Sequence, residues 1–248
     1  MKNLLSVMSL AAALSLPLAV TADGAAGDSP HQFSANVLIT TEYLYRGITQ
    51  THEDPAIQGG FDYSHETLGF YAGAWASNLE FNAQTTNTAS IEIDFYGGFA
   101  GDFSNGVSWD VGGMYYYYPD TNEDVGADFN FVELYGNLGY TIEASWDPTV
   151  DVGFAWSPDF FGEDDDGIYV HGTFDLSLPH NFGVYTTVGF QDVAGDKTTP
   201  GGYDYVHYAV GITYDFGILT FDGSWNDAED NCGGDICEAL VLSVSSSW

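Results

Sequence analysis

The stretch Ser90-Ile91-Glu92-Ile93-Asp94-Phe95-Tyr96 alternates apolar and polar side chains residue by residue. A period of two is the mark of a β-strand whose faces meet different surroundings. One face here is Ile, Ile and Phe; the other is Glu, Asp and Tyr. A soluble antiparallel sheet puts its charged face in bulk water and normally mixes both signs, but this chain holds 36 Asp and Glu against 3 Lys and Arg. A transmembrane barrel resolves the pattern differently, showing the apolar face to lipid and enclosing the other. The closing run Leu240-Val241-Leu242-Ser243-Val244-Ser245-Ser246-Ser247-Trp248 repeats the alternation and ends on an aromatic residue, the form of a terminal outer-membrane strand. Leu242, Val244 and Trp248 are therefore the candidate assembly signal.

The start of the chain agrees with export. Lys2 gives a positive n-region, residues 4–20 an apolar core interrupted by Pro17, and Val20-Thr21-Ala22 a small-residue cleavage site, so residues 1–22 read as a signal peptide. Residues 23–32 form a short N-terminal segment and 33–248 a single barrel domain. No later run of about 18 apolar residues could make a spanning helix, so any membrane span is made of strands. The expected location is the outer membrane of a Gram-negative bacterium, with lipid, lipopolysaccharide and the barrel assembly machinery as partners.

Composition excludes other classes. The formal net charge is −33, and after removal of Lys2 the only fixed cations are Arg46 and Lys197. Nucleic acid needs clustered bases and is no partner. Acidic chains poor in aromatics are disordered, but aromatics are 16% here and glycine numbers 30. Aromatics and glycine in short alternating runs belong to β-barrels.

About 12 strand candidates of membrane-spanning length follow from the alternation: 33–47, 56–65, 69–78, 89–102, 106–118, 129–140, 149–156, 167–178, 182–192, 203–215, 218–226 and 238–248. Their connections alternate between short turns, such as Asn105-Gly106, Pro179-His180-Asn181 and Phe216-Gly217, and longer loops. Only 141–148 is longer than its place in this series calls for. Short turns and both termini on one side, long loops on the other, is the asymmetry of a bacterial barrel.

The alternation also sorts side chains. Val37, Ile39, Tyr43 and Tyr45 share the lipid face of the first strand, with Thr40, Glu42 and Arg46 on the other face. Val206, Tyr208, Val210 and Ile212 oppose Tyr205, His207 and Thr213. A charge on the lipid face at mid-bilayer costs about 2 to 4 kcal/mol for bases and less for acids. The pore-lining candidates are thus Glu42, Arg46, Asp62, Glu92, Asp94, Asp110, Glu133, Asp151, Asp175, His207 and Asp222. So many carboxylates with almost no bases to pair them call for a wet interior, and a wet interior through a membrane is a pore.

The segment Thr41-Glu42-Tyr43-Leu44-Tyr45-Arg46-Gly47-Ile48-Thr49-Gln50-Thr51, with 55–65 and 69–78 after it, resembles the opening of the proteobacterial Gcw-type family of conserved hypothetical proteins, also described as TorF family porins. The Tyr-x-x-Arg-Gly-Ile-[Ser/Thr]-Gln-Thr stretch is its most specific element, and the resemblance is strongest over about residues 35–118. It implies an outer-membrane barrel with a pore role, and no catalytic residue, cofactor or known substrate.

Individual residues carry competing readings. Arg46 is either a lone cation over an acidic pore or a fixed partner for Glu42 on the same strand face; the pairing with Glu42 is the expectation. Cys232 and Cys237, the only cysteines, are even in number in an exported chain and read as a disulfide. They have too few companions for zinc. The acidic loops at 120–124 and 163–167 lack an EF-hand pattern and read as solvated surface, with a weak divalent-cation site as the alternative; no metal site residue and no cofactor is assigned. No Gly-x-Ser-x-Gly or His-Glu-x-x-His motif supports an enzyme. The expected function is a porin passing small cationic or neutral solutes. The alternatives are a non-conducting structural or adhesive barrel and, behind it, an outer-membrane hydrolase. On this topology an epitope at Thr121 is labelled on intact cells; labelling only after permeabilisation would reverse the orientation.

Overall fold

The computed structural model describes residues 29–81, 88–119, 121, 129–162, 165–194, 203–228 and 238–248. Among them are β1 (His31–Thr40), β2 (Leu44–Tyr45), β3 (Ile48–Thr49), β4 (Ala56–His65), β5 (Phe70–Asn78), β6 (Ile91–Asp102) and β7 (Val107–Tyr117). The chain continues through β8 (Phe131–Thr141), β9 (Thr149–Ser157), β10 (Gly167–Leu178), β11 (Phe182–Val193), β12 (Tyr203–Phe216), β13 (Leu219–Ala228) and β14 (Glu238–Ser247). The proposed signal peptide, Lys197, Cys232 and Cys237 lie outside the described residues, as do most of the two acidic loops.

Twelve antiparallel strands close into one barrel in which every strand pairs with its neighbour in sequence and β1 joins β14. Closure leaves no open edge, so every strand has hydrogen-bonding neighbours on both sides. At the seam Val37 stands opposite Ser246 and Ile39 opposite Val244. Trp248 exchanges backbone hydrogen bonds with Ala35, at 2.9 and 3.0 Å, so the last residue of the chain is part of the closure.

Two barrel strands, β4 and β10, have the bounds expected from alternation, and most others agree within two residues. The first does not. Alternation runs on to Arg46, but β1 ends at Thr40 and the chain leaves the wall there. Its place in the pattern is taken by β2 and β3, a two-stranded ribbon apart from the barrel. The long connection after β8 is ordered: Ile142 N–H donates to Pro148 O, and Ser177 N–H of β10 donates to Trp146 O.

The two faces separate cleanly. Phe33, Ile39, Ile57, Phe61, Phe95, Val111, Leu134, Val152, Val210 and Leu242 are exposed on the outside, Ile57 by 64%. Val206 and Tyr208 are half-buried outside, with Val210 and Ile212 exposed, while Tyr205 and His207 are buried inside. An apolar surface this continuous suits hydrocarbon rather than water. At the short-turn end aromatic rings touch along the outer rim, as in Phe33 with Tyr63 at 5.2 Å, Phe70 with Phe99 at 5.5 Å and Phe182 with Tyr214 at 4.8 Å. This is an interfacial girdle.

At the long-loop end Phe81, Tyr118, Phe129 and Phe161, from three different loops, stack together, with Phe129 and Phe161 4.7 Å apart. They pack on a buried cluster that includes Tyr116, Phe131 and Phe160.

Because Trp248 completes the seam and Leu242 lies on the apolar outside, deleting Trp248 or making Leu242→Asp should sharply reduce the heat-modifiable, folded barrel seen on gels. Unchanged assembly of both variants would contradict a membrane-embedded closure.

Candidate functional site

The segment 41–55, between β1 and β4, folds into the barrel. Its core is the β2–β3 hairpin, with Leu44 opposite Thr49 and Tyr45 opposite Ile48, leaving Arg46-Gly47 as a two-residue turn. Both turn residues have positive φ, 49° and 83°, the requirement of a type I′ hairpin. Gly47 is doubly constrained, since a Cβ there would stand 2.8 Å from that of His207. The rest of the segment is tied internally. Gln50 N–H donates to Tyr43 O, Tyr43 N–H donates to Thr51 Oγ1, and the Gln50 side-chain amide donates to Ile48 O and Thr49 O.

The hairpin leaves the wall between β1 and β4 and reaches the wall halfway round the barrel. The Arg46 guanidinium donates to both carboxylate oxygens of Glu133 on β8, at 2.8 and 2.9 Å, and to Gln191 Oε1 on β11 at 2.6 Å. It lies over the Tyr169 ring of β10 at 4.0 Å and the Tyr45 ring at 4.7 Å. Tyr116 of β7 donates to Glu133 as well. On the near side the Tyr43 hydroxyl donates to Glu92 of β6 at 2.9 Å, and its ring packs on Trp75 of β5. The segment therefore crosses the lumen and is held at both ends.

This corrects three expectations. Arg46 does not pair with Glu42: its partner is Glu133, because the turn carries it away from β1 and across the lumen. Tyr43 and Tyr45 do not face lipid; both are enclosed, the Tyr43 hydroxyl bonded to Glu92 and the Tyr45 ring packed on Arg46 and Tyr116. Arg46 does not close the first strand but forms the tip of the hairpin. Glu42 is buried on the same segment, and its Oε1 accepts from Glu53 N–H at 3.3 Å.

The remaining candidates sit on the inner face of the wall. Glu92, Asp94 and Glu133 lie in the upper lumen around the hairpin, exposed by 2%, 0% and 3%. His207 is beside the hairpin tip, its Nε2 sharing a 2.8 Å hydrogen bond with the Tyr169 hydroxyl. Nearer the short-turn end are Asp62, Asp110, Asp151, Asp175 and Asp222, less enclosed apart from Asp175. Tyr96 donates to Asp62, and Tyr71 donates to Asp110 at 2.6 Å while its oxygen stands 2.6 Å from that of Tyr135. Eight wall carboxylates thus share the lumen with Arg46, the one Lys or Arg among the described residues.

Tyr116, Tyr169 and Gln191 are the functional neighbours that alternation alone did not single out. The available signal was local: an X-Gly pair centred in Tyr43-Leu44-Tyr45-Arg46-Gly47-Ile48-Thr49 is a hairpin signature within an apparent strand.

The model of the family Gcw_chp, described as a bacterial protein of unknown function, matches residues 24–234. No curated protein matches the chain in sequence. Among solved structures, a KdgM porin is similar with a TM-score of 0.56 at 9% identity, covering 87% of this chain and 99% of that one. A NanC porin is similar with a TM-score of 0.55 at 9% identity, covering 87% and 98%. At such identities the likeness is one of fold.

Removing one partner of a buried ion pair costs about 3 to 5 kcal/mol, so the hairpin's attachment is open to test. Gln50→Cys, in a background with Cys232 and Cys237 replaced by serine, should resist a membrane-impermeant maleimide. Adding Arg46→Ala or Glu133→Gln should speed its labelling on the order of 100-fold if release of the hairpin precedes reaction. Equal rates in all three backgrounds would show that the pair does not hold the segment.

Proposed function

The chain belongs to the Gcw_chp family of bacterial proteins of unknown function, so its activity has to be read from its own lumen, and we propose that it is an outer-membrane porin. It sits in the outer membrane after removal of residues 1–22, with lipid and lipopolysaccharide around it, the assembly machinery as its route in, and the long loops outside the cell. Small cationic or neutral solutes pass by diffusion, and anions are held back.

The observation that carries this reading is the charge of the inner wall. Asp62, Glu92, Asp94, Asp110, Glu133, Asp151, Asp175 and Asp222 all turn inward, with Arg46 as the cation among them. Such a surface is strongly unfavourable when dry and stable when hydrated. A hydrated acidic channel concentrates cations, since the screening length is about 8 Å at physiological ionic strength and a small barrel is not much wider. The hairpin divides the path. Below it the wall is lined by aspartates and tyrosines, and above it is the aromatic loop cluster.

A second reading rests on the same hairpin. A segment held to both walls is also how a structural barrel would be plugged, and Cys232 and Cys237 would then brace an outer loop as a disulfide. We favour conduction because a plug alone gives no reason for a lower wall lined with carboxylates away from the hairpin. Among the described residues no nucleophile, base and orienting acid come together, and no observation favours the hydrolase reading over the other two.

Reversal potential under a KCl gradient, measured with purified protein in a planar bilayer, separates the readings. Cation preference that weakens as salt rises is expected. Asp110→Asn, Asp151→Asn and Asp222→Asn together should reduce that preference while leaving a folded barrel, because hydrated carboxylates can be neutralised without stranding a buried charge. Anion preference, or no current from a folded barrel, would overturn the porin reading and leave the plugged scaffold.

A further inference from the structure

Three tyrosines on the inner wall repeat one arrangement: each stands over a glycine of the adjacent strand and bonds an aspartate on the strand beyond it. Tyr96 of β6 crosses Gly73 of β5 and donates to Asp62 Oδ1 of β4. Tyr71 of β5 crosses Gly98 of β6 and donates to Asp110 of β7 at 2.6 Å. Tyr185 of β11 crosses Gly211 of β12 and is hydrogen-bonded to Asp222 and Ser224 of β13. The register creates the first of these directly. Asp62 is opposite Gly73 and Gly73 opposite Tyr96, so all three share the inner face. A Cβ at Gly73 would stand 2.5 Å from the Cε2, Cζ and hydroxyl atoms of Tyr96, and one at Gly211 would stand 2.2 Å from Cζ of Tyr185 and 2.4 Å from its hydroxyl. Both are far inside the roughly 3.5 Å at which such atoms rest. At these two glycines the nearest atoms belong to the outer end of a phenol, whereas at Gly98 the Val111 carbonyl oxygen is also 2.4 Å away, so that glycine sets strand spacing as well.

We propose that Gly73 and Gly211, with Tyr96 and Tyr185, are positioning residues of the permeation path. The missing Cβ lets each phenol lie back on the wall, where it fixes an aspartate and stays clear of the solute. An added methyl group lifts the phenol, and with the wall behind it and strands on either side the ring moves toward the lumen. Two effects follow from that one movement. The ring narrows the way through, and the aspartate loses the donor that held its charge at a set place in the wall. Asp62 accepts from Tyr96 through Oδ1, and its Oδ2, like that of Asp222, has no partner within the protein. One oxygen of Asp62 is thus anchored while the other is left to water and passing ions, the division of labour that a fixed selectivity charge needs. The role in permeation rests on the porin reading, whereas the seating of the phenols does not.

The test compares Gly73→Ala and Gly211→Ala with Gly136→Ala and Gly172→Ala, which lie among lipid-facing residues and where a Cβ meets nothing nearer than 3.7 Å. Heat-modifiability on gels identifies the folded variants, and the two independent glycines keep the test open where one of them does not assemble. Seating is read without any current, by nitrating folded protein in detergent with tetranitromethane and locating the product by peptide mass. Tyr96 and Tyr185, exposed by only 7% and 3%, should react several-fold faster in the variant of the partner glycine and at the unaltered rate in the two controls. In planar bilayers Gly73→Ala and Gly211→Ala should lose single-channel conductance and cation preference relative to those controls. Removing the displaced ring should undo the loss of conductance, so Gly73→Ala with Tyr96→Ala should conduct better than Gly73→Ala alone, a coupling that general loosening of the barrel does not produce. Tyr96→Phe keeps the ring and removes its bond to Asp62, and should lower cation preference with conductance retained. Glycine variants that match the controls in nitration and in current would overturn the inference and leave a conducting porin. Faster nitration with unchanged current would overturn the role in permeation. Faster nitration with no current from any preparation, the unaltered protein included, would remove the porin and that role together, leaving only the seating.

Discussion

Backbone groups in hydrocarbon have no water to bond, and this constraint organises the whole molecule. Strands satisfy one another only if the sheet closes. Closure turns each strand's two faces into an outside and an inside, so every side chain is assigned to one of two environments by the parity of its position. Asp62, Glu92, Asp94, Asp110, Glu133, Asp151, Asp175 and Asp222 follow that parity inward, and Ile57, Phe61, Phe95, Leu134 and Val210 follow it outward. The seam is part of the same constraint, which is why the chain is ordered to its last residue, with Trp248 bonded to Ala35.

A wall of carboxylates has a consequence for whatever enters it. A basic residue brought inside meets strong attraction, while an apolar segment would lose its neighbours' hydration. The 41–55 segment meets these conditions with a guanidinium at its tip and tyrosines along its length. Arginine suits the position better than lysine would. Its planar fork takes both oxygens of Glu133 and still reaches Gln191, and its face lies on Tyr169 and Tyr45. The turn that delivers it needs positive φ at two successive residues, and Arg46 accepts that cost at one of them because Gly47 relieves the other.

The barrel was legible in the sequence because parity is a one-dimensional signal. Residues 91–96 declare inside and outside without any knowledge of their neighbours, and turn chemistry at Asn105-Gly106 and Pro179-His180-Asn181 sets the strand ends. The hairpin was not legible by the same means. Tyr43 and Tyr45 continue the parity of Val37 and Ile39, and Arg46 that of Thr40 and Glu42, so alternation reads them as strand, and only the departure from the wall at Thr40 distinguishes the two. The partners of Arg46 were equally hidden. Glu42 was the near acid in sequence, but Glu133 and Gln191 lie 87 and 145 residues away, and their proximity is set by closure rather than by any local pattern.

The same distinction explains why the most specific stretch of this chain is the one that left the wall. Wall positions answer mainly to which face they occupy, apolar residues outside and small or polar residues inside. Between 43 and 51 each residue type answers to a different contact. Tyr43 must reach Glu92, Arg46 must span to Glu133, Gly47 must clear His207, and Thr51 must accept from the backbone of Tyr43. A segment that touches the walls on both sides of a lumen is constrained by all of them at once. The lumen beneath the long loops is therefore crossed by the segment 41–55, which belongs to no barrel strand, and the twelve strands supply the frame, the charge and the distance it must cross.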